Sequence, residues 1–349
     1  METVHAFRLQ SAACGKMGSD LYRRLLLAAA DDIAAGGELA SVVGTWDGDP
    51  VTDAVPLRLL GGVHRLVLRG DAPGLAFHYP TVGGRPSWPG CTAEFFAAVR
   101  TNPVAIRAAL SRPPQTNEIG RAAPLIGGLI EVTTMLGAPI RLLEIGASAG
   151  LNLLLDRFRF ELGDGLGFGP PSSPVVVVSE WTGRIPTLDR PINVVAREGC
   201  DPNPIDVRRP EEVERLLCFV WADQLDRFER LGQAIELARP APAPVAAAPA
   251  SGWLPKHLAT PHPGAVTVVM QSVTSQYLSA AERHRVLTEV RAAGAAATRE
   301  APVAWLRMEP GPRTFELTLS VWPQDVHLTL AEVEAHGRWV RWHEITDQG

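Results

Sequence analysis

Arg141-Leu-Leu-Glu-Ile-Gly-Ala-Ser-Ala-Gly-Leu-Asn152 decides how this chain is read. An apolar run reaches the acid Glu144, opens into a turn bearing Gly146 and Gly150, and passes into Leu151, Leu153, Leu154 and Leu155. That is the strand–turn–helix grammar of a nucleotide-binding βα unit, in which glycines admit a ligand to the backbone and start a helix close to the strand. The same residues also satisfy the nucleophile-elbow pattern, Gly146-Ala-Ser148-Ala-Gly150. With Asp201 or Asp206 followed by His327 or His336, the order of a serine-hydrolase triad exists. An acid two residues before the first glycine suits a cofactor cleft better, because it would oppose the charge that develops in an oxyanion site. The preceding sequence is also mostly helical in pattern, whereas an elbow strand normally follows other strands and an oxyanion-hole loop.

Glu144-x-Gly146-x-x-x-Gly150 resembles the first motif of S-adenosylmethionine-dependent methyltransferases, with Ser148 where a third glycine usually stands. A second apolar run from Ile192 ends in Gly199-Cys-Asp201-Pro-Asn203-Pro. Such folds place there an acid that accepts hydrogen bonds from ribose hydroxyls. Asp201 is the candidate, and Glu180, after the run Val175–Val178, competes with it. The spacing from Glu144 exceeds the usual ~20 residues, which an inserted hairpin at about 158–190 explains. The cofactor-binding set is Glu144, Gly146, Ser148, Gly150, Asn152, Asp201 and Asn203, joined by Arg121 for the cofactor's carboxylate.

The chain has 349 residues, enough for two domains, and 46% hydrophobic content supports a real core. A net charge of −5 disfavours nucleic acid as the main partner. No uninterrupted apolar run long enough to span a bilayer, and no signal-peptide pattern, is read, so a cytoplasmic enzyme without a membrane partner is expected. Cys14, Cys91, Cys200 and Cys218 lack metal or disulfide spacing, and no metal site is expected around His257 and His262. Residues 1–137 read as an all-α N-terminal domain, with Asp20 capping one helix and a further helix from Asn117 to Leu136 interrupted at Pro124 and Gly127-Gly128. Residues 138–349 read as an α/β domain: a Rossmann-like, doubly wound sheet of methyltransferase type with an antiparallel C-terminal edge. Strands are expected at 140–145, 175–179, 192–197, 266–270, 302–307, 314–321 and 339–343, and helices at 148–158, 210–217, 222–238 and 280–293. The Pro/Ala stretch 239–252 is a surface connection with one short strand inside.

Four segments together resemble an uncharacterised bacterial family, domain of unknown function 2332. They are His78-Tyr79-Pro80-Thr-Val-Gly83-Gly84, Gln115-Thr-Asn117-Glu118-Ile-Gly120-Arg121, the block Glu144–Leu155, and Gly199-Cys-Asp201-Pro-Asn203-Pro-Ile-Asp206. The resemblance spans nearly the whole chain and implies a methyltransferase-like fold without an established reaction. Departures stand at Ala248-Pro249, where the family tends to carry Gly-Asp, and at Gln271, where it has histidine. Glu118 and Arg121, three apart on one turn, can face one ligand, so Gln115, Asn117, Glu118 and Tyr79 are candidate substrate-binding residues. Gln271 and Tyr277, after the run Val266–Met270, would orient a methyl acceptor, and Glu309 would serve as base. The expected activity is in-line methyl transfer from S-adenosylmethionine to a small molecule selected by the helical domain. A catalytically silent binding protein of the same fold is the alternative, and a Ser148 hydrolase the third reading.

Overall fold

The helical part of the chain builds its core from stripes of apolar residues three and four apart. In a computed structural model describing residues 2–44 and 46–344, seven helices precede the first strand's own helix. They are α1 (Glu2–Lys16), α2 (Asp20–Ala34), α3 (Glu38–Val43), α4 (Val55–Arg69), α5 (Pro73–Ala76), α6 (Gly90–Thr101) and α7 (Pro103–Leu110). In α4 the stripe Leu59, Val63, Leu66, Val67 is buried. A fully buried side chain of this size is worth about 1.5–3 kcal/mol. The cap of α2 is Ser19, whose hydroxyl accepts from the Tyr22 amide, while Asp20 sits inside the helix and pairs with Arg23 and Arg24. Asp20 therefore acts one position later than the sequence suggests, as a first-turn acid.

Then follow α8 (Ala122–Leu136), α9 (Pro210–Leu217), α10 (Leu225–Ala238), α11 (Ala250–Leu258) and α12 (Ala280–Ala295). The chain divides into two units: Met1–Thr116 with Arg208–Gly232, and Asn117–Val207 with Gln233–Gly349. The boundary thus falls before α8, not after it. The helix belongs with the sheet because it is apolar on every side, with eleven consecutive residues from Ala122 to Val132 buried. It also runs unbroken. Pro124 lies in its first turn, where no amide is needed, and Gly127 and Gly128 are contact points for Trp342 and Leu306. By length and composition Ile119–Leu136 is apolar enough to cross a membrane, yet 72% of it is buried inside the protein.

The strands are β1 (Ile140–Ile145), β2 (Arg159–Glu161), β3 (Gly167–Phe168), β4 (Val176–Val178), β5 (Glu180–Gly183), β6 (Val194–Asp201), β7 (Val245–Ala247), β8 (Val266–Ser272), β9 (Val303–Pro310), β10 (Phe315–Trp322), β11 (Val326–Val333) and β12 (Trp339–Trp342). Among the described residues nine of them form one sheet, ordered β5-β12-β11-β10-β9-β8-β1-β6-β7. The β7-β6-β1-β8-β9 half is parallel throughout. Inside it, β8 is buried from Val266 to Gln271 because both faces are covered. One face carries Leu143, Ile145, Val269 and Trp305 against Trp253 of α11 and Val286 and Val290 of α12. The other packs on α8.

From β9 to β12 the sheet is antiparallel. The strand β11 is additional to those expected, although Val326-His-Leu-Thr-Leu alternates as an edge-side strand should. In the inserted segment, β2 pairs antiparallel with β3 and parallel with β4, and β5 leaves it to join β12. The insertion is thus a small second sheet plus an edge strand of the first. Where a helix was expected at 148–158, left-handed residues at 148 and 150 delay helical structure until a 3-10 segment, Asn152–Arg157.

Gly127→Ala would set a methyl 2.3 Å from Cζ2 of Trp342 and 2.9 Å from Trp181. Overpacking of this kind costs about 1–3 kcal/mol, more than alanine's better helix propensity returns. Gly232→Ala in α10, with nothing within 4 Å, should instead gain up to about 1 kcal/mol. Urea unfolding of the two variants checks the contrast; a neutral Gly127→Ala would mean the tryptophan pair yields freely.

Candidate site at the carboxyl edge of the parallel strands

From β1 the sheet extends through β6 in one direction and through β8 in the other. Ligands of open α/β sheets bind outside the carboxyl ends at such a reversal. The turn leaving β1 there is strained: Gly146, Ser148 and Gly150 all have positive φ, at 69°, 53° and 70°. For a serine the left-handed conformation costs roughly 1–2 kcal/mol, so something must hold it. The Ser148 amide donates to Oδ2 of Asp201 at 3.0 Å, and the Asn203 amide donates to Oδ1 at 2.8 Å. The Ser148 carbonyl accepts from the Ile205 amide at 3.1 Å, and the Ala147 amide donates to the Cys200 carbonyl at 3.0 Å. Asp201, the expected ribose acid, is thereby also the clamp between the loops after β1 and β6.

Glu144 lies between Gly199 of β6 and Met270 of β8 and is 2% exposed. Burial, reinforced by the Asp201 charge, pushes its pKa well above the usual carboxylate range, which favours the protonated acid. Its Oε2 has no hydrogen-bond partner. Asn152 is equally buried; its Nδ2 donates to the Glu118 carbonyl at 3.3 Å while Oδ1 is unpartnered. The Leu151 amide donates to Oδ1 of Asn117 at 3.1 Å. Asn117 and Glu118 are therefore fastened to the chain leaving the glycine turn. Oε1 of Glu118 accepts from the Gly120 amide, capping its own short helix, and Arg121 donates to the carbonyls of Ala335 and Ser272. Gly120 lies so close to the 336–337 turn that a Cβ would stand 2.1 Å from the His336 carbonyl oxygen.

The remaining predicted residues sort differently. Gln271 is buried and fully used: its Nε2 donates to Ser275 Oγ and Glu309 Oε1, and its Oε1 accepts from the Trp305 indole. Glu309 also accepts from the amides of Thr274 and Ser275, at 3.0 and 3.2 Å. These bonds hold Val273, a β-branched residue at φ 56°. Positioning the 273–275 turn is what this pair does in the structure, and a carboxylate so engaged is ill placed to act as a base. Tyr277 is 71% exposed. The Asn203 side chain is exposed while its amide makes the turn. Glu180 begins β5 at the far edge of the sheet from β6 and is not beside Asp201. His327 begins β11 beside the amino end of β9, away from the carboxyl edge that carries Ser148.

Gln115 and Tyr79 belong to the helical unit. There the Tyr79 ring is wholly buried against His64. Nδ1 of His64 meets the Cys218 carbonyl, which can only accept, so Nε2 accepts from the Thr81 hydroxyl. Burial lowers the His64 pKa to about 4 and keeps the ring neutral. The four thiols are free and buried, and burial raises Cys14 to about 11 and the other three to about 12, so none is a ready nucleophile. Among the described residues no group of three or more His, Cys, Asp or Glu can hold a metal ion. Sequence reading missed Val273 and Thr274; it reads His336-Gly337 as a turn, as it is, but not that this turn meets Gly120 and Arg121. Thr274 seals the β1 turn, donating to the Ile145 carbonyl at 3.3 Å. Its only local signal was its place after an apolar strand.

Glu144 gives a pH test. Its folded pKa lies above the unfolded value, so its stabilising contribution is complete below the unfolded pKa and is lost as pH rises towards the folded one. Glu144→Gln cannot ionise, so its stability relative to the native chain should improve from pH 5 to pH 8, by at most about 1.4 kcal/mol per pH unit. Denaturant titrations across that range read the difference directly; parallel profiles would show that Glu144 is not held neutral.

The chain belongs to the family described as an uncharacterized protein conserved in bacteria (DUF2332), whose family model matches residues 4–342. No curated protein matches the chain, and no solved structure does.

Proposed function

We propose that this DUF2332 member is an S-adenosylmethionine-dependent methyltransferase acting on a small-molecule acceptor. The observation that carries the reading is a pair of buried oxygens without partners, Oε2 of Glu144 and Oδ1 of Asn152, beside a strained glycine turn where the sheet reverses. Buried polar atoms are nearly always paired, and leaving one unpaired costs about 1–3 kcal/mol. A ligand that brings hydrogen-bond donors to these oxygens recovers that cost. The order of the parallel strands supports the same reading. Numbered among themselves, β1, β6, β7, β8 and β9 lie as 3-2-1-4-5, the order of a doubly wound nucleotide-binding sheet.

The residues present fit such a cofactor. Glu144 and Asn152 offer acceptors for its amino and hydroxyl groups, and the Asp201 carboxylate at the end of β6 stands where a ribose-binding acid is expected. Arg121, held at the end of β8, supplies positive charge for its carboxylate. When bound, S-adenosylmethionine provides an electrophilic methyl group on a positively charged sulfur. The chain's own part is to bind, to orient and to keep the strained turn fixed, which is catalysis by positioning. The net charge of −5 favours a small acceptor over nucleic acid.

A specific observation favours a second reading. Gln271 and Glu309, the residues suited by sequence to orient and deprotonate an acceptor, are spent on the 273–275 turn. A protein that binds the ligand without turning it over fits that arrangement.

Calorimetric titration with S-adenosylmethionine and S-adenosylhomocysteine tests the site itself. Micromolar binding is expected, weakened at least tenfold in Asp201→Asn and retained in Ser148→Ala. Absence of binding to folded native chain would remove the methyltransferase reading, and labelling of Ser148 by an active-site phosphonate would replace it with a hydrolase. If binding holds, methyl transfer to any member of an acceptor panel separates the enzyme from the silent binder.

A further inference from the structure

We infer that the chain has a second ligand site, for a small oxyanion, on the sheet face opposite Glu144. Side chains alternate along a strand. Gln271, Trp305 and Arg307 therefore share the face of Val269 and Ile145, under α12, while Glu144 points to the α8 side. A cavity of about 180 Å³ opens between that face and α12. It is too small for a drug-sized ligand, which needs roughly 300 Å³ or more, and of a size for a phosphate or a short carboxylic acid.

Its polar lining is cationic. The Arg307 guanidinium lies 4.3 Å from the centre of the Trp305 ring, stacked on its face. Trp305 is itself fixed by its indole bond to Gln271. No carboxylate pairs with Arg307 among the described residues, and its buried Nε has no hydrogen-bond partner. Burial, the largest effect, depresses the Arg307 pKa, the nearby Glu309 charge opposes that, and Arg291 adds to it. Arg283 closes the cavity from α12. Its Nη1 is anchored on the carbonyls of Ser275 and Leu278, so its position is set, and its other two nitrogens have no partner among the described residues.

A half-buried guanidinium whose enclosed Nε is unpaired and which forms no ion pair is costly, and an oxyanion across Arg307 and Arg283 supplies a direct partner with the fork geometry that arginine offers. The Ser275 hydroxyl, which accepts from Gln271, has its own proton to donate into the same space. The nearby Glu309 carboxylate makes its hydrogen bonds to Gln271 and to the amides of Thr274 and Ser275, and acts on Arg307 as a neighbouring charge without an ion pair between them. Aromatic and apolar walls from Trp305, Val286 and Leu287 complete a site that takes a compact anion with little else attached.

Titration of the full-length chain with inorganic phosphate and, separately, with acetate, at ionic strength held constant with sodium chloride, tests this. Saturable binding of at least one anion is expected by calorimetry, with a matching rise in melting temperature. Phosphate alone would assign a phosphorylated ligand, and acetate alone a carboxylate. Arg307→Gln and Arg283→Gln should each weaken binding tenfold or more. Arg307→Lys should fall between, and Arg313→Gln, an exposed arginine on the β9–β10 turn, should bind as the native chain does. Should Arg307→Gln fail to fold, the exposed Arg283 carries the comparison. Binding unaffected in Arg283→Gln and Arg307→Lys, or no saturable binding of either anion, would overturn the inference. S-adenosylmethionine affinity reads separately, since none of the assigned cofactor residues lines this cavity.

Discussion

The carboxylate of Asp201 is the constraint from which the carboxyl edge of the sheet follows. Its two oxygens take the amides of Ser148 and Asn203, so the loops after neighbouring parallel strands are set by one side chain. Hydrogen bonds to an ionised acceptor are about twice as strong as neutral ones, which is enough to hold a serine in a left-handed conformation. With that turn fixed, the chain re-enters regular structure only at Asn152, and Asn152 and Leu151 in turn bind the 117–118 backbone and side chain. The unpaired oxygens of Glu144 and Asn152 are thus located by the same clamp. A polar site has been assembled from backbone strain and one acid.

On the other side of β8 the device is repeated with different parts. Glu309 holds the 273–275 turn as Asp201 holds 148–150, again a carboxylate stabilising a non-glycine residue at positive φ. Thr274 joins the two turns through the Ile145 carbonyl. The antiparallel strands serve this edge as well. Because β9, β10 and β11 reverse twice, β11 runs with β9 and delivers the 334–337 turn back to the carboxyl side, where it meets Gly120 and Arg121.

What the sequence disclosed was local. Glu144, the glycine turn and the apolar strand ending in Asp201 lie within short windows whose pattern has a mechanical reason, so their positions could be read directly. The fate of Gln271 and Glu309 could not, since it depends on Trp305 and on amides more than thirty residues away in sequence. The helix expected at 148–158 failed on backbone angles that apolar periodicity does not encode. Residues 208–232 return to the helical unit although nothing in their composition addresses them there: amphipathic helices state that one face is buried, not against what. The continuity of α8 was hidden for the opposite reason, its glycines being read as weakness when they are where Trp342 and Leu306 press in.

The buried thiols have a use as internal reporters. Cys14, Cys91 and Cys218 lie in the helical unit and Cys200 alone in the sheet unit, one residue before Asp201. Protonated and enclosed, they react with a thiol reagent only when their surroundings open. The modification rate of Cys200 therefore clocks the breathing of the strand that ends in the clamp. The other three time the helical unit separately, and no residue need be introduced to tell the two apart.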